Sequence, residues 1–167
     1  MTFKDLKVSP RCLQILEKQN ILTPTPVQEK AIPVALKGQD LVAIAQTGTG
    51  KTLAFGLPAL TRLANTPRGQ TAMLVLTPTR ELAQQVHDVL APLAKAMKLT
   101  SACIYGGVGM NPQTHALRRG ANILVATPGR LLDHIQRGNT RFDEIRLLVL
   151  DEADRMLDMG FLPDIRR

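Results

Sequence analysis

The chain has 167 residues, of which 44% are apolar and 21% are charged. This length suits one domain with a full core, and this composition excludes an intrinsically disordered protein. No apolar run is long enough to cross a membrane, and the first residues lack the pattern of a secretory signal, so we expect a cytoplasmic protein.

The charge balance points to an anionic partner. There are 21 basic and 14 acidic residues, a formal net charge of +7. The chain has four phenylalanines, one tyrosine and no tryptophan, whereas binding of single strands by base stacking needs clustered aromatic side chains. If the partner is a nucleic acid, we therefore expect contacts with sugar and phosphate that are largely independent of sequence.

The cysteines and histidines do not indicate a metal site. Cys12 and Cys103 lie far apart in sequence, and we interpret them as free thiols of a reducing compartment. His87, His115 and His134 have no metal-ligand spacing with each other or with the cysteines, so we expect no structural metal.

The N-terminal stretch predicts two short helices. Ser9 is a suitable N-cap with Pro10 at the first helical position, and Asn20 can end that helix in a left-handed turn. Thr25–Gln28 opens the second helix and Gly38 closes it. We expect residues 1–38 to pack as a helical segment on a larger lobe that begins at residue 39.

From residue 40 onward, short apolar strands alternate with helices. The predicted strands are Leu41–Ala45, Ala72–Leu76, Ala102–Tyr105, Ile123–Ala126 and Leu147–Leu150. The predicted helices run from Lys51 to about Leu63, from Arg80 to about Met97, from Pro112 to Arg119 and from Arg130 to Arg137. This alternation predicts an α/β fold of three layers, a parallel sheet with helices on both faces. In such sheets ligands gather at the C-terminal ends of the strands.

A glycine-rich loop between the first predicted strand and its helix is typical of a phosphate site. Its residues are Ala45, Gln46, Thr47, Gly48, Thr49, Gly50, Lys51 and Thr52. Gly48 and Gly50 allow consecutive N–H groups to point inward, and the following helix adds its positive end. Lys51 can reach the outer phosphates, and Thr52 offers a hydroxyl to Mg²⁺. The alternative is a tight turn that uses glycine for geometry alone.

The strand Leu147–Leu150 runs directly into acidic residues. Asp151 is costly to bury without a partner, and Mg²⁺ would satisfy it. Glu152 would then lie beside the terminal phosphate and orient or deprotonate the attacking water, while Asp154 would pair with a cationic group. This interpretation places Lys51 and Asp151 on adjoining strands that face one pocket. The alternative is an acidic helix start favoured by the helix dipole.

Two strand ends share one pattern, a strand followed by Thr-Pro-x-Arg and a helix. Because arginine is unfavourable near a helix N-terminus, two such placements indicate an external anion, and the phosphates of one nucleic-acid strand are the natural candidates. Paired glycines at a third strand end allow close approach of a backbone. The predicted contacts are Pro78, Thr79, Arg80, Gly106, Gly107, Thr127, Pro128, Gly129 and Arg130. The alternative is ordinary helix capping with solvated arginines.

Gln28 and Phe3 are candidates for binding a base. The amide of Gln28 carries a donor beside an acceptor, which complements the N6 and N7 edge of adenine, and Phe3 could stack on the ring. The alternatives are that Thr25 and Gln28 form a capping box and that Phe3 anchors the N-terminus.

Together these segments resemble the N-terminal, RecA-like lobe of a DEAD-box ATP-dependent RNA helicase, a P-loop NTPase domain. The resemblance covers essentially the whole chain. Its motifs are Phe3 with Pro24–Gln28, Ala45–Thr52, Pro78–Ala83, Gly106–Gly107, Thr127–Arg130 and Asp151–Asp154. It implies ATP and Mg²⁺ as cofactors, RNA as partner, adenine contacts for Gln28 and Phe3, and catalytic roles for Lys51, Asp151 and Glu152. It also places Asp154 at the contact with a second lobe and implies a monomer.

The sequence departs from the family pattern in two respects. Asn20 and Ile21 stand where the family usually has glycine and an aromatic residue. The family's Ser-Ala-Thr motif and second lobe do not follow the acidic motif, so we expect a fragment that binds adenine nucleotide without unwinding RNA. The competing interpretations are a DNA translocase of the same fold and a non-catalytic lobe that binds RNA or a protein.

Overall fold

The computed structural model describes residues 1–166, and Arg167, the last residue of the predicted lobe, lies outside them. The helices are α1 (Pro10–Lys18), α2 (Pro26–Leu36), α3 (Lys51–Arg62), α4 (Arg80–Ala96), α5 (Met110–Arg119), α6 (Pro128–Gln136), α7 (Ala153–Asp158) and α8 (Leu162–Ile165). The strands are β1 (Met73–Leu76), β2 (Ser101–Ile104), β3 (Ile123–Ala126) and β4 (Leu147–Leu150). None of these helices combines the length and apolar character needed to cross a membrane.

The four strands form a parallel sheet in the order β2-β3-β1-β4. Leu76 at the end of β1 lies opposite Ala126 of β3 and Leu150 of β4, and Ala126 lies opposite Ile104 of β2. The C-terminal ends of all four strands therefore meet at one edge, which confirms the predicted α/β class with a parallel sheet.

Both faces of the central strands are buried, which explains why their sequences are apolar throughout. On one face, β1, β2 and β3 pack against residues of α5, α6 and α7 in a core that contains Leu74, Ile104, Leu124, Leu131 and Met156. On the other face, Met73, Val75, Ile123 and Val125 are fully buried.

The predicted strand Leu41–Ala45 is wrong. Residues 41–46 form no strand, and Val42 and Ile44 are 89% and 98% exposed. An apolar run becomes a strand only where a neighbour accepts its ladder of hydrogen bonds, and no strand within residues 1–166 pairs with this segment.

β4 is less buried than a strand that is covered by helices on both faces. In the described part of the chain β4 pairs with β1 alone, so it is an edge strand, and Leu148 and Leu150 are 56% and 40% exposed. The expectation that Lys51 and Asp151 follow adjoining strands is wrong, because Lys51 follows a segment that is not a strand.

The chain divides into two compact units. The helical segment 1–38 on a lobe that begins at residue 39 stays a prediction. The first unit comprises residues 1–65 with 89–98, and the second comprises residues 66–88 with those from 99 onward. The first contains α1 to α3, with α2 packed on α3, and the second contains the whole sheet.

The N-terminal helices begin and end where the sequence predicts. Ser9 is the N-cap of α1, Asn20 takes a left-handed φ of 60°, and Gly38 does the same after α2 with a φ of 78°. Asn20 therefore adopts the conformation for which glycine is the usual residue. α6 begins at Pro128, two residues before the prediction, because proline is well suited to the first turn of a helix.

Candidate functional site

In the first unit, the glycine-rich loop leads directly into α3. Gly48 and Gly50 both have a positive φ, 83° and 85°, and Gly50 is the N-cap of the helix. The hydroxyl of Thr49 donates to the carbonyl of Gln46 at 2.6 Å, which closes the turn. Lys51 and Thr52 are the first two residues of the helix and are partly buried. The loop thus has the backbone conformation and the helix start of an anion site.

Thr25 and Gln28 bind the same loop from the start of α2. The hydroxyl of Thr25 donates to the carbonyl of Thr49 at 2.8 Å, and Nε2 of Gln28 donates to the carbonyl of Gly50 at 3.0 Å. Oε1 of Gln28 accepts from the backbone N–H of Thr25 at 2.9 Å. This last bond is one half of the capping box, so that alternative is realised in the structure.

The contact of Gln28 with adenine stays a prediction. The side chain is only 2% exposed. One lone pair of Oε1 and one N–H of Nε2 are not used by its hydrogen bonds to Thr25 and Gly50, so the amide keeps a donor and an acceptor.

Phe3 is a core residue of the first unit. It is 3% exposed and lines a cavity of about 200 Å³ together with Leu13, Leu16 and Ile21. This environment is the one expected if Phe3 anchors the N-terminus, and stacking on a base stays a prediction.

In the second unit, the candidate residues converge at the C-terminal edge of the sheet. The backbone N–H of Thr77 donates to the carbonyl of Ala126 at 2.9 Å, and that of Thr127 donates to Ile104 at 3.0 Å. The N–H of Asp151 donates to the carbonyl of Leu76 at 2.9 Å. These bonds extend the ladder by one residue and place the segments after β1, β3 and β4 side by side.

The acidic segment after β4 has an unusual backbone. Asp151 is 8% exposed, and Glu152 takes a left-handed φ of 52° as the N-cap of α7. Such a conformation costs free energy for a residue with a side chain and is concentrated at functional sites. The carboxylate of Glu152 lies 3.3 Å from the guanidinium of Arg155. Asp154 is exposed and forms no ion pair within residues 1–166, and its pairing with a cationic group stays a prediction.

Mg²⁺ prefers oxygen ligands, and the candidate ligands of this chain are oxygen donors. The ion usually takes one or two protein ligands and completes its octahedron with phosphate oxygens and water. Thr52 supplies a hydroxyl in the first unit and Asp151 a carboxylate in the second. Among the described residues no three side chains of His, Cys, Asp or Glu form a metal-binding group.

The two Thr-Pro-x-Arg segments differ more than their sequences suggest. After β1 the cap is Thr79, whose hydroxyl accepts from the N–H of Leu82 at 3.2 Å. Arg80 is the first residue of α4 and its side chain is 53% exposed. A Cβ at Gly107, where φ is 80°, would lie 3.1 Å from NH1 of Arg80, so this glycine gives the guanidinium room against the loop.

After β3 the cap is Thr127, Pro128 is the first residue of α6, and Gly129 is exposed. NH1 of Arg130 donates to the carbonyl of Val108 at 2.9 Å and to Oε1 of Gln113 at 3.3 Å. Arg130 is therefore not the solvated arginine of the capping alternative.

Sequence reasoning missed a buried polar cluster below this edge, made of Gln113, His134 and Asn139. Burial lowers the pKa of His134, and the nearby positive charge of Arg130 lowers it further, against the opposing effect of Asp133. A signal was present in α6, because Pro128, Leu131 and His134 are three residues apart and share its buried face.

Cys12 and Cys103 are free thiols, and their surroundings disfavour the reactive thiolate form. Burial raises the pKa of Cys12 to about 11 and that of Cys103 to about 12, so neither is a candidate nucleophile.

A parallel α/β sheet, a glycine-rich loop before a helix and a carboxylate at a strand end define a nucleotide-binding domain of the P-loop class. Comparison with known proteins makes this more specific. The chain belongs to the DEAD/DEAH box helicase family, whose model matches residues 25–167.

Its relatives have names that agree with this family. It is 45% identical over 99% of its length to DEAD-box ATP-dependent RNA helicase 30 of Oryza sativa subsp. japonica. It is 51% identical over 93% of its length to Probable ATP-dependent RNA helicase DDX17 of Mus musculus, and 47% identical over 99% to DEAD-box ATP-dependent RNA helicase 30 of Arabidopsis thaliana. The chain spans 25%, 24% and 29% of these three relatives.

Proposed function

We propose that this chain is the ATP- and RNA-binding lobe of an ATP-dependent RNA helicase, which hydrolyses ATP with Mg²⁺ and uses the cycle to separate or remodel short RNA duplexes. The observation that carries the proposal is the convergence of four strand ends at one edge of the sheet, three with RNA-binding candidates and one with Asp151 and Glu152. The names of the relatives support the reaction.

In this proposal each group of candidate residues has its own role in binding or hydrolysing ATP. The loop from Ala45 to Thr52 holds the phosphates, with Lys51 as the point charge on the outer ones, and Gln28 with Phe3 forms the base site. Thr52 and Asp151 are the candidate ligands of Mg²⁺, which would neutralise phosphate charge, and Glu152 would orient the attacking water.

RNA binds along the exits of β1, β2 and β3. The exposed guanidinium of Arg80 and the glycines at 106, 107 and 129 meet sugar and phosphate, so binding is largely independent of sequence.

Asp154, exposed at the start of α7, faces a second lobe of the parent chain. The protein works as a cytoplasmic monomer, and the free thiols support a reducing compartment.

Nucleotide titration tests the phosphate site. Lys51→Ala should weaken binding of a fluorescent adenine nucleotide in the presence of Mg²⁺ at least about tenfold, because the charge beside the outer phosphates is lost. Lys18→Ala, an exposed lysine of the last turn of α1, removes the same charge elsewhere in the unit and should bind like the parent. Equal affinity of the Lys51 variant and the parent would contradict the proposed site.

Two further measurements test the need for a second lobe and the preference for RNA over DNA. We expect the chain alone to bind nucleotide weakly and to release little phosphate from ATP, with or without RNA, because a second lobe must complete the site. Fast RNA-stimulated turnover by this chain would contradict that requirement. Binding of DNA as tightly as RNA of the same sequence would favour the DNA translocase instead.

A further inference from the structure

A chain of hydrogen-bonded side chains lies beneath the loop that follows β2. We name Gln113, Arg130, His134 and Asn139 the Gln113 relay. His134 is fully buried, and Gln113 and Asn139 are each 7% exposed. Burying so many polar groups is costly unless each is satisfied, and within residues 1–166 no buried side-chain nitrogen or oxygen lacks a partner.

The direction of each hydrogen bond in the relay can be assigned from its ends. The guanidinium of Arg118 can only donate, so it faces Oδ1 of Asn139, at 3.3 Å. Nδ2 of Asn139 then donates to Nδ1 of His134 at 3.1 Å, which places the proton of the neutral imidazole on Nε2. Nε2 in turn donates to Oε1 of Gln113 at 3.0 Å.

The other end of the relay holds the backbone of the loop at two points. Nε2 of Gln113 donates to the carbonyl of Tyr105 at 2.8 Å. Arg130 donates through NH1 to the carbonyl of Val108 at 2.9 Å and to Oε1 of Gln113 at 3.3 Å. The two carbonyls flank the glycine pair at 106 and 107, so the relay fixes both ends of the most flexible part of the loop.

The outer side of the loop has no such contacts with the residues that the structure describes. Gly107, Val108 and Gly109 are exposed, and an added Cβ at Gly106 would meet no atom of residues 1–166 within 4 Å. The guanidinium of Arg80 lies against Gly107. The relay therefore fixes the loop from its buried side. The opposite side of the loop is exposed and lies beside the guanidinium of Arg80.

We propose that the Gln113 relay is a positioning device for RNA, which keeps loop 105–109 in the conformation that receives the sugar-phosphate backbone. The inference rests on the proposed RNA contact and adds to it the residues that give the loop its shape. Gln113, His134 and Asn139 touch no RNA themselves and act through the loop, and Arg130 links them to it. Preorganisation of this kind raises affinity because the loop need not be ordered when RNA binds.

The test compares Gln113→Met with Gln136→Met, the same change at an exposed position near the end of α6. Gln113→Met keeps the length of the side chain and removes its three hydrogen bonds. Three quantities are measured on the whole chain, namely amide hydrogen exchange of residues 105–109, the Kd for a fluorescent single-stranded oligouridine, and the Kd for an adenine nucleotide. Gln113→Glu is a second variant in case the first does not fold, since its carboxylate still accepts from Arg130 and His134 but cannot donate to Tyr105.

For Gln113→Met we expect faster exchange in the loop, an oligouridine Kd raised about tenfold and a nucleotide Kd within about twofold of the parent. Gln113→Glu should change loop exchange and the oligouridine Kd in the same directions but by less. Gln136→Met should match the parent in all three quantities. Unchanged exchange, or faster exchange with unchanged RNA affinity, would overturn the positioning role. A parent chain that does not bind oligouridine at all overturns the RNA contact of the proposed function, and loop exchange then still decides whether the relay holds the loop.

Discussion

Two glycines of the phosphate loop have nearly the same backbone conformation but very different surroundings. A Cβ at Gly50 would clash with Nε2 of Gln28, whereas a Cβ at Gly48 would meet no atom of residues 1–166 within 4 Å. The sequence specifies a glycine at both positions, but only the structure shows that one of them is also the acceptor for Gln28.

This difference gives a matched pair of variants. Gly48→Ala and Gly50→Ala both place a side chain at a positive φ, which costs roughly 1–2 kcal/mol. Gly50→Ala should lower the free energy of unfolding by about a further 1–3 kcal/mol, because Gln28 must move and its buried amide loses its partners. Urea denaturation followed by circular dichroism measures both. Equal losses for the two variants would mean that the contact between α2 and the loop contributes little.

Two histidines of the second unit should make stability depend on pH. Burial lowers the pKa of His134 and of His87, although Asp133 and Asp88 oppose the effect, and Arg130 and Arg137 also face His134 with like charge. The unfolded chain therefore binds more protons near pH 6.5 than the folded chain does. The free energy of unfolding should be nearly steady between about pH 7 and 8 and should fall as the pH drops below about 6.5.

His134→Gln and His87→Gln separate the two contributions. Each variant should show a shallower fall in stability between about pH 7 and 5.5 than the parent, since each group contributes at most about 1.4 kcal/mol per pH unit. Denaturant midpoints measured across this range provide the slope. A slope in the His134 variant as steep as in the parent would show that its imidazole takes up its proton equally in both states.

At the scale of the element, local patterns predict what depends on local chemistry. Ile123–Ala126 and Leu147–Leu150 are apolar runs between turn residues and form strands at those bounds, and α4 begins at Arg80 as predicted. The segment 41–45 has equally strong apolar character but no strand beside it within the described residues. Strand formation depends on a distant partner, which a local pattern does not reveal.

The Gln113 relay shows the same limit for side chains. The residue types are plain in the sequence, but nothing local indicates that an amide of α5, an imidazole of α6 and the amide of Asn139 meet. Only His134 gives a hint, as a polar residue on the apolar face of its helix. The two Thr-Pro-x-Arg segments make the converse point. The shared pattern leads to one arginine, Arg80, that is exposed beside its neighbour Glu81, and to another, Arg130, that is hydrogen-bonded to a distant backbone carbonyl.

At the scale of the whole molecule, the candidate residues fall into two compact units. The phosphate loop and Gln28 belong to the first, and Asp151, Glu152 and the RNA-binding candidates belong to the second. Sequence motifs alone do not show around which core each of these residues folds. The net charge of +7 is likewise a property of the whole chain and does not show where an anion binds.

A salt titration separates local from overall charge. If RNA phosphates meet Arg80, then Arg80→Gln should weaken binding equally for different sequences, and the slope of log K against log salt should become shallower by about 0.7, the value for one single-strand phosphate contact. Arg141→Gln gives the same change in net charge. Arg141 is exposed beside a cavity of about 380 Å³ with Gly69, Gln70 and Thr71, which precede β1, so it lies at the opposite end of the sheet.

The two variants have identical net charge, so any difference between them reports position. With fluorescence anisotropy of an oligouridine and an oligoadenosine at several salt concentrations, we expect Arg141→Gln to keep the parent slope and nearly the parent affinity. Equal effects of both substitutions would assign RNA binding to the diffuse positive potential of the chain and remove Arg80 from the proposed interface. A loss at Arg80 for only one of the two oligonucleotides would show base recognition instead, since a phosphate contact has no means to distinguish uracil from adenine.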